Sequence, residues 1–271
     1  MGQTASIRIA CFLGIFFLLA LWEVFGPRRR LDTSKRARWL SNLTITALNP
    51  ALVRLLIPVL PVSLASVAAA NGWGLLNNIS LPAWAAVITG FLLLDLAIYL
   101  QHVLFHAVPL LWRFHMMHHA DLDFDVTTGL RFHPGEILLS TGIKLSVVAL
   151  MGVPPLGVLL FAILLNATSM FNHSNVRLPL AADRLLRLLV VTPEMHRVHH
   201  SVIIKETNSN FGFNLPWWDR LLGTYKDQPE KGHEKMAIGV SQYRDPAALT
   251  LPKILLLPFV GDPGRQPINR H

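Results

Sequence analysis

Cysteine is nearly absent: Cys11 is the single one in 271 residues and sits inside an apolar run. That excludes an intrachain disulfide, a cysteine zinc site and an iron–sulfur cluster. Charge is also scarce, at 15% of residues against 52% hydrophobic ones, which is too apolar for an ordinary soluble domain. Two motifs are missing. There is no H-E-x-x-H for a helical zinc protease and no G-x-G-x-x-G for a bound dinucleotide. Neither an internal repeat nor a low-complexity segment is present. The formal charge of +8 is scattered or lies beside apolar runs, so it reads as membrane orientation rather than nucleic-acid binding.

What the chain has is apolar runs of span length. Residues 7–25 have no small-x-small cleavage site after them and read as a retained span. Arg28, Arg29, Arg30, Lys35, Arg36 and Arg38 follow against only Asp32, the signature of a cytoplasmic loop. A second run covers 43–70, broken by Pro50, Pro58 and Pro61, and the turn at 71–82 has no charge. The third run, from Trp84 to about Leu100, returns to the cytoplasm. Residues 137–171 form an apolar region split by Pro154 and Pro155, with Lys144 in its first half; it is either a re-entrant hairpin or two short spans. Both options bring the chain back to the side it left. The expectation is an all-α integral membrane bundle of three to five spans with a cytoplasmic, histidine-rich, metal-binding cap. It divides into N-terminal spans (1–70), a central region (71–226) that carries most of the histidines, and a tail (227–271) whose segment 251–260 lies along the membrane surface.

Ten of the twelve histidines fall between 102 and 200. They come in sets: His102 and His106; His115, His118 and His119; His173; His196, His199 and His200. Residues three or four apart share a helix face, so each set can aim its rings at one place. Asp95, Tyr99, His102 and His106 fall within about 60° of one another on a helix, a polar seam on the third span. So many neighbouring imidazoles are unfavourable if charged together, whereas metal binds them neutral. Nine clustered histidines exceed one tetrahedral site, so two ions are expected. Imidazole suits iron, zinc and copper, and ligand type alone does not choose among them. An open all-histidine site at the lip of a membrane suits oxygen activation by iron on an apolar substrate. His233 and His271 stand alone and are read as ordinary hydrogen-bonded residues.

The order H-x3-H, H-x2-HH, a single histidine, then H-x2-HH resembles the fatty acid hydroxylase/sterol desaturase superfamily of membrane non-haem di-iron enzymes. The flanks "LLWRFHMMHH", "TTGLRFHPGE", "FNHSNVRLP", "TPEMHRVHHS" and "NSNFGFNLPWWDRLLGTY" resemble its bacterial sterol desaturase branch, over roughly residues 70–226. The resemblance implies that His102, His106, His115, His118, His119, His173, His196, His199 and His200 hold two iron ions, with zinc as a substitute in purified protein. It implies a lipid hydroxylase or desaturase using O2, with no catalytic residue beyond the ligands. One departure stands out. Ser169 lies four residues before His173, where some relatives carry a further histidine, so water or another side chain is expected to replace that imidazole.

Around the ligands, Asp95, Asn210 and Asp219 are expected to orient imidazoles from outside, Asp95 foremost, because metal histidines donate their other N–H to a carboxylate, amide or carbonyl. His133 shares its H-P-G with haem-binding cytochrome b5 domains, but an apolar hairpin follows it, so haem is set aside and His133 is read as a supporting or capping residue ahead of a direct metal ligand. Glu136 is expected to charge the start of the next helix. Trp217 and Trp218 are expected to anchor at the membrane interface. Asp121, Asp123 and Asp125 alternate as in an extended segment and are expected to be solvated or to contact a donor. With no dinucleotide fingerprint, electrons must come from a separate reductase, ferredoxin or cytochrome, which a basic loop could help dock. The alternatives are a zinc-dependent membrane hydrolase, which needs no reductant, and a transport protein, which would place ligands at the bilayer midplane.

Overall fold

Prolines and glycines set the helix boundaries. The structure is a computed structural model that describes residues 2–265 and 268, so His271 lies outside the described residues. The helices are α1 (Gly2–Phe25), α2 (Lys35–Leu56), α3 (Pro61–Asn71), α4 (Ala83–Ala107), α5 (Pro109–His119), α6 (Pro134–Met151) and α7 (Pro155–Asn172). Short helices follow: α8 (Leu180–Leu186), α9 (Pro193–His199), α10 (Ile204–Thr207), α11 (Trp217–Leu221), α12 (Gly232–Lys235) and α13 (Leu251–Val260). Pro109, Pro134, Pro155 and Pro193 each open a helix at a position where the missing N–H costs nothing. Gly152 closes α6 in a left-handed conformation at φ 67°. Among the described residues there are no strands, only two isolated bridges.

Five stretches are long and apolar enough to cross a membrane: Thr4–Phe25, Lys35–Asn71, Ala83–Ala107, Pro134–Met151 and Pro155–Asn172. The chain is a multi-pass helical membrane protein. The region around Pro154 and Pro155 forms two 18-residue helices, each about 27 Å long at 1.5 Å per residue and close to the bilayer's hydrocarbon thickness. Helix α4 packs on α5, α6 and α7, α3 on α6 and α7, and α1 on α7. Leu94, Ile98, Val148, Val153, Val158 and Phe161 form the apolar interior between them. The uncharged turn after α3 meets the α6–α7 turn at one end: a Cβ on Gly74 would lie 2.1 Å from the nitrogen of Gly152, so this contact requires glycine.

The basic loop 26–34 lies at the other end, with the histidines, and much of its charge is used internally. Arg28 Nε donates to Glu194 at 2.7 Å and Arg29 donates to the carbonyls of His233 and Met236. Arg30 and Arg36 remain exposed. The tail is built into the same end: α13 packs on α5, where Ile254 and Leu257 join Trp112, Met116 and Met117 in one buried cluster.

Candidate metal centre

All nine predicted histidines converge at one end of the bundle and are buried. They form two groups, in each of which the facing ligand atoms lie within 4.8 Å of one another. The first holds His102, His106, His115, His119 and His199; the second holds His118, His173, His196 and His200. Helix α4 contributes His102 and His106 from one face. Helix α5 splits its set between the groups, and so do α9 and the residue that caps it, His200. Four histidines complete the second group without residue 169. Ser169 Oγ instead donates to the carbonyl of Gly129 at 2.8 Å, and the Ser169 carbonyl accepts from His173 Nδ1 at 2.7 Å. The side chain expected in place of an imidazole is therefore turned to backbone support. Gly129 has no room for a Cβ, which would sit 2.3 Å from the Ser169 carbonyl oxygen.

The outer ring nitrogens show what the inner ones are for. His102 Nδ1 donates to the Phe211 carbonyl, His106 Nδ1 to Asn208 Oδ1, and His199 Nδ1 to the Ser209 carbonyl. His115 Nδ1 donates to Glu136 Oε1 at 2.7 Å, and His118 Nδ1 to the Arg131 carbonyl. A neutral imidazole that donates from Nδ1 carries a bare lone pair on Nε2. Yet His102 Nε2 lies 3.0 Å from His115 Nε2, and His118 Nε2 lies 3.1 Å from His173 Nε2. Lone pair facing lone pair at these distances is repulsive unless a cation lies between them. Metal–imidazole bonds of about 2.1 Å set neighbouring ligand nitrogens ~3.0 to 3.4 Å apart. His199 Nε2 is buried with no hydrogen-bond partner, as a ligand atom would be. The donor set therefore fits two metal ions.

Protonation agrees. Burial, with neighbouring imidazoles adding to it, pushes His118, His119, His196, His199 and His200 well below the usual histidine range. Burial takes His173 down to about 3. At neutral pH these rings are uncharged, the form that binds metal.

The supporting residues correct several expectations. Asp95 touches no histidine; its carboxylate accepts from Asn214 Nδ2 at 2.7 Å and from Trp218 Nε1 at 2.8 Å. Trp218 is thus tied inward to Asp95 rather than serving only as an interface anchor, while exposed Trp217 donates to the Leu188 carbonyl. Asp219 acts one step removed: it accepts from the amides of Phe211 and Gly212, holding the carbonyl that orients His102. Desolvation raises its carboxyl to about 6, against the hydrogen bonds it accepts. Asn210, at φ 52°, bonds the backbone of Met195 and Lys226 rather than a ring. His133 caps α6, accepting from the Gly135 amide and donating to the Leu255 carbonyl. His233 is a buried partner of Glu194 and Gln228 outside both groups.

The three acids after α5 are the clearest correction. Asp121, Asp123 and Asp125 are buried rather than solvated. Arg38 reaches both Asp121 and Asp125, and Asp123 accepts from the amides of Asp32 and Thr33. Burial opposes ionisation of Asp121, but the Arg38 charge and hydrogen bond hold its carboxyl down at about 2. Sequence reasoning missed Glu136 and Asn208 as direct partners of His115 and His106. A signal existed for Glu136, which stands in the first turn of the helix that follows His133.

A bundle of helices long and apolar enough to cross a membrane, with two adjoining histidine groups that could hold metal ions at one end, is the architecture of a membrane protein with a candidate metal centre. Residues 87–224 match the family described as fatty acid hydroxylase, and the chain belongs to that family. It is similar to ornithine lipid hydroxylase OlsE of Rhizobium tropici, with 31% identity over 58% of this chain and 46% of that protein. Human alkylglycerol monooxygenase shares 31% over 53% of this chain and 31% of its own length, and rat cholesterol 25-hydroxylase shares 30% over 53% and 47%. The chain therefore spans less than half the length of these curated relatives. No solved structure matches it.

Proposed function

We propose that this protein is a lipid hydroxylase that uses O2 and two iron ions. The observation that carries the reading is the pairing of bare Nε2 atoms, His102 with His115 and His118 with His173, across two adjoining histidine groups. Membership of the fatty acid hydroxylase family supports it, as do relatives named as hydroxylases or monooxygenases of ornithine lipid, alkylglycerol and cholesterol. Those names favour hydroxylation over desaturation. The substrate is read as a membrane lipid with an alkyl or acyl chain.

Bound iron supplies the redox chemistry that cleaves an unactivated C–H bond. The protein's part is to hold the imidazoles neutral and oriented, through Glu136, Asn208 and the carbonyls of Arg131, Ser169, Phe211 and Ser209, and to keep water away. The overall change is R–H + O2 + 2 electrons + 2 protons giving R–OH + H2O. A separate reductase, ferredoxin or cytochrome supplies the electrons. The histidine end faces the cytoplasm, an orientation supported by the basic loop beside it. A reporter at residue 75 is then extracytoplasmic and one at residue 228 cytoplasmic.

Metal analysis of protein purified under mild conditions, with assays for O2 and reductant dependence, tests the reading. Iron with both requirements, and a lipid gaining one oxygen by mass spectrometry, is the expected result. Zinc with neither requirement replaces it with the hydrolase alternative.

A further inference from the structure

The imidazoles have two different surroundings. Polar groups lie around part of the centre: Arg131, Arg197, Asp121 and Glu194 are buried, and part-buried Asn208 is bonded to His106. Phenyl rings also meet the imidazoles. Phe132 stacks on His118 with ring centroids 4.3 Å apart and planes 12° apart. Phe213 lies 5.0 Å from the His102 ring and 5.9 Å from the His196 ring. The pair, 6.3 Å apart, therefore touches ligands of both histidine groups.

These two phenylalanines differ from the other aromatics near the site. Phe124 packs with Met236 and Ile238, Phe211 with Tyr99, and Trp112 with α13 residues. Phe132 and Phe213 instead belong to the apolar cluster that fills the membrane bundle, together with Leu94, Ile98, Val148, Val158 and Phe161. Phe132 keeps some exposure where every imidazole has almost none. Alkyl chains lose their favourable environment on entering a charged, hydrogen-bonded region and retain it beside phenyl rings. Phe132 and Phe213 thus join the apolar interior of the bundle to the histidines.

We propose that Phe132 and Phe213 form the threshold over which the lipid's alkyl chain meets the metal centre, and that their bulk sets which carbon is oxidised. The inference rests on the lipid-oxidising reading above. A chain advancing from the bundle stops against these rings, and the length threaded past them fixes the carbon presented. They are specificity-determining contacts, not catalytic residues.

The test has two arms. In nanodiscs, metal-free protein is photolysed with a fatty acyl chain bearing a diazirine, and labelled peptides are mapped. Label within 129–135 and 210–215 supports the threshold; label confined to 194–209 or 226–240, the charged cap, overturns it. This arm needs no turnover. If label falls at the threshold but wild-type protein with iron, O2 and reductant oxidises no lipid, the activity reading fails and the threshold stands. In the second arm, Phe213→Ala and Phe132→Ala are compared with Phe213→Leu and Phe132→Leu by tandem mass spectrometry of the product, with iron content measured alongside. Iron-replete variants are expected to move oxygenation by one or more carbons or to change the preferred chain length. An unchanged position and chain-length profile in all iron-replete variants overturns the proposal. Should the alanine variants lose iron, the leucine pair and the labelling map decide.

Discussion

Arg38 grips Asp121 with two parallel hydrogen bonds, Nε to Oδ1 at 2.6 Å and Nη2 to Oδ2 at 2.8 Å, while its remaining nitrogen, Nη1, reaches Asp125 at 2.7 Å. One guanidinium on the second helix thereby fixes the turn that leaves the His115–His119 helix. Fork-to-fork pairing of this kind sets direction as well as distance.

Arg38→Ala removes the cation bonded to two buried carboxylates, a loss of about 3 to 5 kcal/mol by comparison with other broken buried pairs. The expected outcome is a lower thermal midpoint and a lower metal content in membrane-extracted protein. Arg38→Lys keeps the charge but not the fork and should fall between wild type and alanine. Wild-type stability in Arg38→Ala would show that the pair contributes nothing.

Glu136 accepts from His115 Nδ1 within the first histidine group, and its second oxygen, Oε2, is buried without a partner. Removing such a support typically lowers metal affinity about 10 to 100-fold. Glu136→Ala is expected to show that loss in an equilibrium metal titration, and Glu136→Gln, which can still accept from the ring, a smaller one. Equal affinity in all three proteins would remove Glu136 from the support of the centre.

The tail beyond residue 250 is tied to α5 by side chains flanking its histidines. Trp112 Nε1 donates to the Pro263 carbonyl, and Arg113 donates to those of Pro258 and Gly261. Trp112 also packs 4.9 Å from the His106 ring. A chain ending at residue 250 should insert in membranes but bind metal more weakly, although the deleted segment lies outside the matched family region, 87–224. Full metal occupancy in the truncated protein would assign the tail to another role.

Acid should destabilise the metal-free protein. The cap histidines stay neutral when folded, whereas in the unfolded chain they take up protons below about pH 6.5. A folded value held below the unfolded one means that stability is present above about pH 6.5 and falls progressively as pH drops below it. Thermal midpoints of chelated protein between pH 8 and pH 5, alongside a His118→Asn/His119→Asn variant with two fewer such groups, check the sign. A midpoint that rises on acidification contradicts the assignment.

The histidine sets were legible in the sequence because helical spacing places residues three and four apart on one face, and burial of those faces did the rest. The acids misled for a related reason. An extended segment has no helical periodicity to indicate its partners, and Arg38 lies 83 residues from Asp121. Asp95 was correctly placed on the polar face of α4 with His102, but a shared face does not name a contact: the aspartate lies two turns away and meets Asn214 and Trp218 from α11 and the segment before it. Glu136 was placed at a helix start, and only the packing of α6 beside α5 turns that position into a partner for His115.

His118 and His119 are consecutive residues that belong to different groups, as are His199 and His200. Neither α5 nor the α9 segment can move to suit one ion without displacing a ligand of the other. Loading is therefore expected to be cooperative: the first ion to bind fixes both backbones and assembles most of the second site, so protein supplied with too little metal divides into filled and empty molecules with few half-filled ones between.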